Sequence, residues 1–253
     1  MFYQNYSGYD WRSFFTPVVR IITAINVIVF LLLQIPKTGN FILTFFGFYP
    51  WWFFSKMMFW QIISYLFIHL GLWHLVINTL MLCMFGPALE RYWGSRYFLI
   101  FFLFSGVVAG LFNMLFSFDS YVYGCSGAIF GILIAYALVF PDTVLLLFFI
   151  FPMPIRYAVI FLIGIDLLAA ISSSGNNIAY FAHLGGALGG YLFIKKELFI
   201  YKLKAFRFNM SFPKSTNNDI NQEVDSILDK ISKKGMKSLS KREMEILKRK
   251  SKL

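Results

Sequence analysis

Charge is scarce in this sequence: Asp, Glu, Lys and Arg supply 14% of its 253 residues, while 58% are hydrophobic. An ordinary soluble domain carries charge on about a quarter of its residues, so a chain exposed to water over its whole surface is excluded. Cysteine is scarcer still. Cys83 and Cys125 are the only two, both in apolar helical surroundings without C-x-x-C or metal-type spacing, which argues against a disulfide and a thiolate metal site. There are three histidines and no H-E-x-x-H, so a zinc hydrolase has no ligand set. The Gly164-Ile165-Asp166 stretch lacks a following glycine and a partner aspartate, which removes an aspartyl-type membrane protease. Ala128 stands where the G-x-S-x-G elbow of soluble hydrolases needs glycine.

Long hydrophobic runs are abundant. A helix needs roughly 20 apolar residues to cross about 30 Å of hydrocarbon, and six stretches approach that length, at about 18–36, 69–89, 95–116, 126–140, 155–171 and 179–196. The expected fold is an all-α polytopic membrane protein of six transmembrane helices. A further run at 144–151, between Pro141 and the Pro152-Met153-Pro154 breaker, is too short to cross and reads as an interfacial connector. The first span is too long for a signal-peptide core and reads as retained. The chain thus divides into an N-terminal segment, 1–17, a membrane domain, 18–198, and a tail, 199–253. In that tail, apolar residues at helical spacing within Asp219–Ile231 and Ser240–Lys250 predict a short helical hairpin.

Net charge is +11, and the residues from Phe199 onward hold fourteen Lys/Arg against six Asp/Glu. A basic segment directly after a membrane helix reads as a topology signal and a contact for anionic lipid headgroups, with no nucleic-acid motif beside it. Placing the N-terminus in the cytoplasm puts Arg12, Arg20, Arg91, Arg96, Arg156, Lys195 and Lys196 on the inner side and only Lys37 and Lys56 outside. Both termini are therefore expected to be cytoplasmic, with a bacterial inner membrane as the default location. The outer segment at about 36–68 is crowded with aromatics, among them Phe48, Tyr49, Trp51, Trp52 and Trp60, and is expected at headgroup depth.

Polar side chains at membrane depth are costly, so each one raises a functional question. In this topology spans 2, 4 and 6 all run inward. His74 and Asn78 lie in the first half of span 2, Ser126 at the start of span 4 and His183 near the start of span 6, all at similar depth below the outer surface. A serine hydroxyl becomes nucleophilic when a neutral imidazole takes its proton; Ser126 and His183 are the candidate pair. Asn78 and His74, one helical turn apart, can aim at one point as oxyanion donors, together with backbone N–H groups of Ser126 and Cys125 at the start of span 4. Gly124 and Gly127 flank the serine. Gly127 with Gly131, and Gly186 with Gly190, form small-xxx-small faces that allow spans 4 and 6 to approach closely. Phe130, one turn after Ser126, can stack beside His183 and fix its ring.

These residues resemble the rhomboid family of intramembrane proteases from about Trp60 to Tyr191. Its G-x-S-G appears as Gly124-Cys125-Ser126-Gly127, its A-H-x-x-G-x-x-x-G as Ala182, His183, Gly186 and Gly190, its H-x-x-x-N as His74 to Asn78 preceded by His69, and its E-x-x-x-G-S as Glu90, Gly94 and Ser95. The resemblance implies a six-helix bundle with a cavity open to the outside, with no metal and no cofactor expected. It also implies a Ser126 and His183 dyad without aspartate that cleaves transmembrane protein substrates near a small residue. Phe130 stands where many members have tyrosine, and Trp60-Gln61 where Trp-Arg is common. Two rival readings remain, a catalytically inactive relative that binds membrane clients and a transporter with histidines along its pathway.

Overall fold

The structure, a computed structural model, describes residues 15–147, 150–172, 178–211, 226–227, 229–231, 239–240 and 242–244. The chain divides into two compact units, Met1–Leu198 and Phe199–Leu253. The first is built of helices. α1 (Pro17–Leu33), α2 (Pro36–Phe46) and α3 (Pro50–Ser55) each begin with a proline at the first helical position. There the missing N–H costs nothing and the fixed φ favours helix. After the short α4 (Gln61–Ser64) and a 3₁₀ turn at Tyr65–Phe67 come α5 (Leu72–Trp93), α6 (Ser95–Phe116), α7 (Ser126–Val139), α8 (Ile155–Ser172) and α9 (Ile178–Ser211). Among the described residues, α5 and α6 are long and apolar enough to cross a membrane, and α1 and α7 are shorter apolar helices.

The sixth span continues as helix to Ser211, past its expected end at 196, and the second starts at Leu72 and not at 69. Gly71 takes extended backbone before it, which leaves His69 outside the helix. Gly94, at φ +84°, breaks α5 from α6 in a conformation that favours glycine. Just before that break, the carboxylate of Glu90 accepts the Val18 and Val19 backbone N–H groups at 3.0 and 3.1 Å and the Ser95 hydroxyl at 2.6 Å. It also accepts the Thr16 hydroxyl. One buried anion thereby satisfies the orphan donors at the start of α1 and ties α1 to α5 and α6.

The core of this unit is a layer of large side chains with no exposure to speak of, including Phe48, Tyr65, Phe98, Phe101 and Phe102. Its centre is a glycine seam. A Cβ added at Gly186 would lie 1.8 Å from the Gly127 carbonyl oxygen, and one at Gly190 would lie 2.5 Å from that of Gly131. The backbones of α7 and α9 are therefore in direct contact, with no side chain between them.

The all-α expectation is corrected at one place. The 144–151 run and the prolines after it form an antiparallel pair, β1 (Val144–Leu147) and β2 (Phe151–Pro154), with Val144 opposite Pro154 and Leu147 opposite Phe151. Helix is barred here because Pro152 and Pro154 remove N–H donors two residues apart. In a strand of period two, both gaps fall on the same side and leave the ladder to β1 intact.

In the second unit, Ser240 and Glu243 cap one another: the Ser240 N–H donates to the Glu243 carboxylate at 2.7 Å and the Glu243 N–H to Ser240 Oγ at 3.3 Å. Lys230 Nζ donates to the same carboxylate at 2.8 Å and holds its pKa down at about 2. Most of the expected tail hairpin lies outside the described residues.

Candidate active site

The segment leading to Ser126 is non-helical and is held by the 36–68 stretch that follows α1 in the chain. Phe48 and Val122 exchange backbone hydrogen bonds at 2.9 and 3.3 Å, and the Gly124 N–H donates to the Tyr65 carbonyl at 2.9 Å. Gly124 then takes φ +95°, where an added Cβ would lie 2.7 Å from His74 Cε1. Only glycine meets both conditions. Cys125 occupies the position before α7 and turns its buried thiol away from the site, 3.6 Å from His69 Nε2 and 3.8 Å from Asn26 Nδ2. Ser126 is the first residue of α7, where backbone N–H groups have no partner within the helix.

His183 reaches Ser126 across the glycine seam, with Nε2 2.8 Å from Oγ. Phe130 stacks on the imidazole with ring centroids 4.5 Å apart and planes 8° from parallel. On the other ring nitrogen the structure places a group that lay outside the expected site: Asp166 Oδ2 is 2.7 Å from His183 Nδ1. Asp166 comes from α8 and is buried.

Ser126, Phe130 and His183 face a cavity of about 680 Å³ whose wall also includes His74 and Asn78. Asn78 is buried, and its amide donates one N–H to the His74 carbonyl at 2.8 Å. An amide carries two such donors, so one remains for the cavity. His69 is fully buried, its ring edge-on to His74 at 5.0 Å. The rest of the wall is mostly apolar, with Ile77, Met81, Ile129, Leu133 and Leu162.

Ser126, His183, His74, Asn78 and Phe130 are thus gathered around one space, with Gly124, Gly127, Gly131, Gly186 and Gly190 setting the backbone approach that gathers them. The Cys125 side chain is not in that wall, and its expected part concerned only its backbone N–H. Asp166 was the missed residue. Its signal was present, since it is a carboxylate within an apolar helix.

Residues 56–197 match the family described as Rhomboid domain, and residues 215–253 match a family of unknown function, DUF6576. Rhomboid protein 1, mitochondrial, of Saccharomyces cerevisiae is 32% identical over 183 residues, which is 70% of this chain and 52% of that protein. Rhomboid protease GluP of Bacillus subtilis is 31% identical over 186 residues, 72% of this chain and 35% of that protein. Rhomboid-like protease 3 of Toxoplasma gondii is 32% identical over 80 residues, 32% of this chain and 30% of that protein. The chain spans about a third to a half of these relatives' own length.

Proposed function

The chain belongs to the rhomboid family, and from that premise we propose that it is an intramembrane serine endopeptidase with Ser126 as nucleophile and His183 as general base. The observation that carries this reading is the 2.8 Å contact between His183 Nε2 and Ser126 Oγ at the wall of a cavity. A client-binding relative has no use for that alignment.

Six helices, α1, α5, α6, α7, α8 and α9, cross the membrane in this reading, with both termini on the basic, cytoplasmic side. The depth of the site follows from helix length. α7 has 14 residues, about 21 Å at 1.5 Å per residue, against roughly 30 Å of hydrocarbon. With its C-terminal end at the inner surface, its first residue is recessed from the outer one. The irregular segment at 117–125 is acceptable at that depth because it lines a cavity and spends its polar groups on the 36–68 loop.

The chemistry proceeds from the hydrogen bond already present. Ser126 Oγ passes its proton to His183 Nε2 as it bonds to the scissile carbonyl carbon, and the carbonyl π electrons move onto oxygen. The Asn78 amide, His74 and the free N–H groups at Cys125 and Ser126 stabilise that oxyanion. Collapse of the intermediate breaks the C–N bond, and the proton on Nε2 leaves with the amine. Water, deprotonated by His183 in turn, releases the acyl group and restores the serine. The substrates are transmembrane segments of other proteins, and the basic tail contacts anionic headgroups.

The test is cleavage of a single-span reporter substrate by purified protein in detergent or bilayers. Wild type should cut it and Ser126→Ala should not. Equal cleavage by the two would end this reading.

A further inference from the structure

We propose that Asp166 is a positioning residue that completes a Ser126, His183, Asp166 relay, so that this chain runs its chemistry on a triad and not on a dyad; the proposal rests on the protease reading above. Three side chains from two helices converge on one imidazole. α7 brings Ser126 to Nε2 at 2.8 Å and Phe130 to the ring face, while α8 brings Asp166 Oδ2 to Nδ1 at 2.7 Å. Each contact removes a different freedom of the ring.

A neutral imidazole has one N–H and one lone pair, and which nitrogen carries the proton is set by the partner of the other. A carboxylate accepts and does not donate. With Asp166 behind Nδ1, the proton is held there and the lone pair of Nε2 faces the Ser126 hydroxyl, which is the arrangement a general base requires. When Nε2 takes the serine proton, the ring becomes a cation between a stacked aromatic and an anion. The Nδ1 proton stays on the ring throughout. Stacking by Phe130 holds the plane of the ring but cannot choose between its nitrogens.

Burial gives a second reason to assign this role. An ionisable side chain in an apolar helix is retained at a cost unless a partner meets it. The side chains of Asp166 and His183 are only 13% and 17% exposed, and His183 Nδ1 is the partner recorded for the Asp166 carboxylate among the described residues. A packing role alone would be met by leucine at 166, which has the same number of side-chain heavy atoms and needs no partner.

Asp166→Asn and Asp166→Glu separate the possibilities. The asparagine amide can turn an N–H toward Nδ1, which forces the imidazole proton onto Nε2 and removes the serine's acceptor; glutamate keeps the carboxylate. For reporter cleavage, Asp166→Asn should lower kcat by about 10²–10⁴-fold with little change in KM, and Asp166→Glu should recover part of that loss. A readout independent of turnover is the ¹H–¹⁵N imidazole spectrum, which is tractable with only three histidines. One low-field Nδ1 proton should be present in wild type and absent in both Asp166→Asn and His183→Ala.

Wild-type kcat retained by Asp166→Asn would overturn the proposal while leaving the protease reading intact. Absence of the Nδ1 proton from wild type would overturn it too, even if the asparagine variant failed to accumulate. If wild type does not cleave, or Ser126→Ala cleaves equally, it is the protease reading that fails.

Discussion

The two regions that hold the site do so by opposite means. Along the α7 and α9 seam, Gly127 and Gly131 lie against Gly186 and Gly190 with backbone on backbone. In the 36–68 loop the chain is held by side chains: Gln61 is fully buried, accepts the Tyr49 N–H at 3.3 Å and donates to the Thr44 carbonyl at 3.2 Å, while Trp60 Nε1 donates to the Phe45 carbonyl at 2.7 Å. A seam with nothing between its helices has one geometry. A loop held by several separate hydrogen bonds can lose one and keep the rest. The seam therefore sets the distance between Ser126 and His183, and the loop supports the segment that delivers Ser126.

That contrast can be broken most sharply at Gly186. A Cβ there has no room against the Gly127 carbonyl, so Gly186→Ala should push α9 away, destabilise the bundle by about 1–3 kcal/mol and lower cleavage by at least about 10²-fold, because small misplacements of reacting groups are costly. Gly71→Ala is the control: nothing lies within 4 Å of the added Cβ, so cleavage should match wild type, and stability should fall by no more than about 1 kcal/mol, the preference of a helix N-cap for glycine over alanine. Comparable effects at the two positions would remove the special status of the seam.

Asn78→Ala comes next, since it leaves both regions standing and takes one donor from the cavity. Cleavage should fall by about 10²–10³-fold with an unchanged melting temperature; a wild-type rate would move the oxyanion onto the backbone N–H groups and His74. The smallest catalytic effect is expected in the loop. Gln61→Ala should lower stability by about 1–2 kcal/mol in thermal denaturation, the range for a few buried hydrogen bonds, while kcat stays close to wild type. A loss of kcat as large as that of Gly186→Ala would mean that the loop positions the serine as tightly as the seam does.

Legibility in the sequence followed the same division. The seam could be read from glycine spacing, because close helix approach in lipid demands small residues at intervals of four. The loop could not: aromatic content predicted depth, but nothing in Trp60-Gln61 announced which carbonyls those side chains would reach. The β1 and β2 pair was missed because short apolar runs do not distinguish strand from connector.

Asp166 is visible in the sequence as a carboxylate in an apolar run, but it stands on the fifth span, and the depth shared by His74, Asn78, Ser126 and His183 concerns the second, fourth and sixth. In the proposed topology α8 runs outward, and Asp166 is eleven residues from its start at Ile155, about 16 Å up the helix at 1.5 Å per residue. The same depth argument, applied to that helix, brings the carboxylate to the level of His183.

Labelling with a serine-directed fluorophosphonate measures the activation of Ser126 as a nucleophile without any choice of substrate. Wild type should form an adduct that peptide mapping locates on Ser126, with labelling abolished in Ser126→Ala and strongly slowed in His183→Ala. Labelling at the wild-type rate in Ser126→Ala would contradict the account.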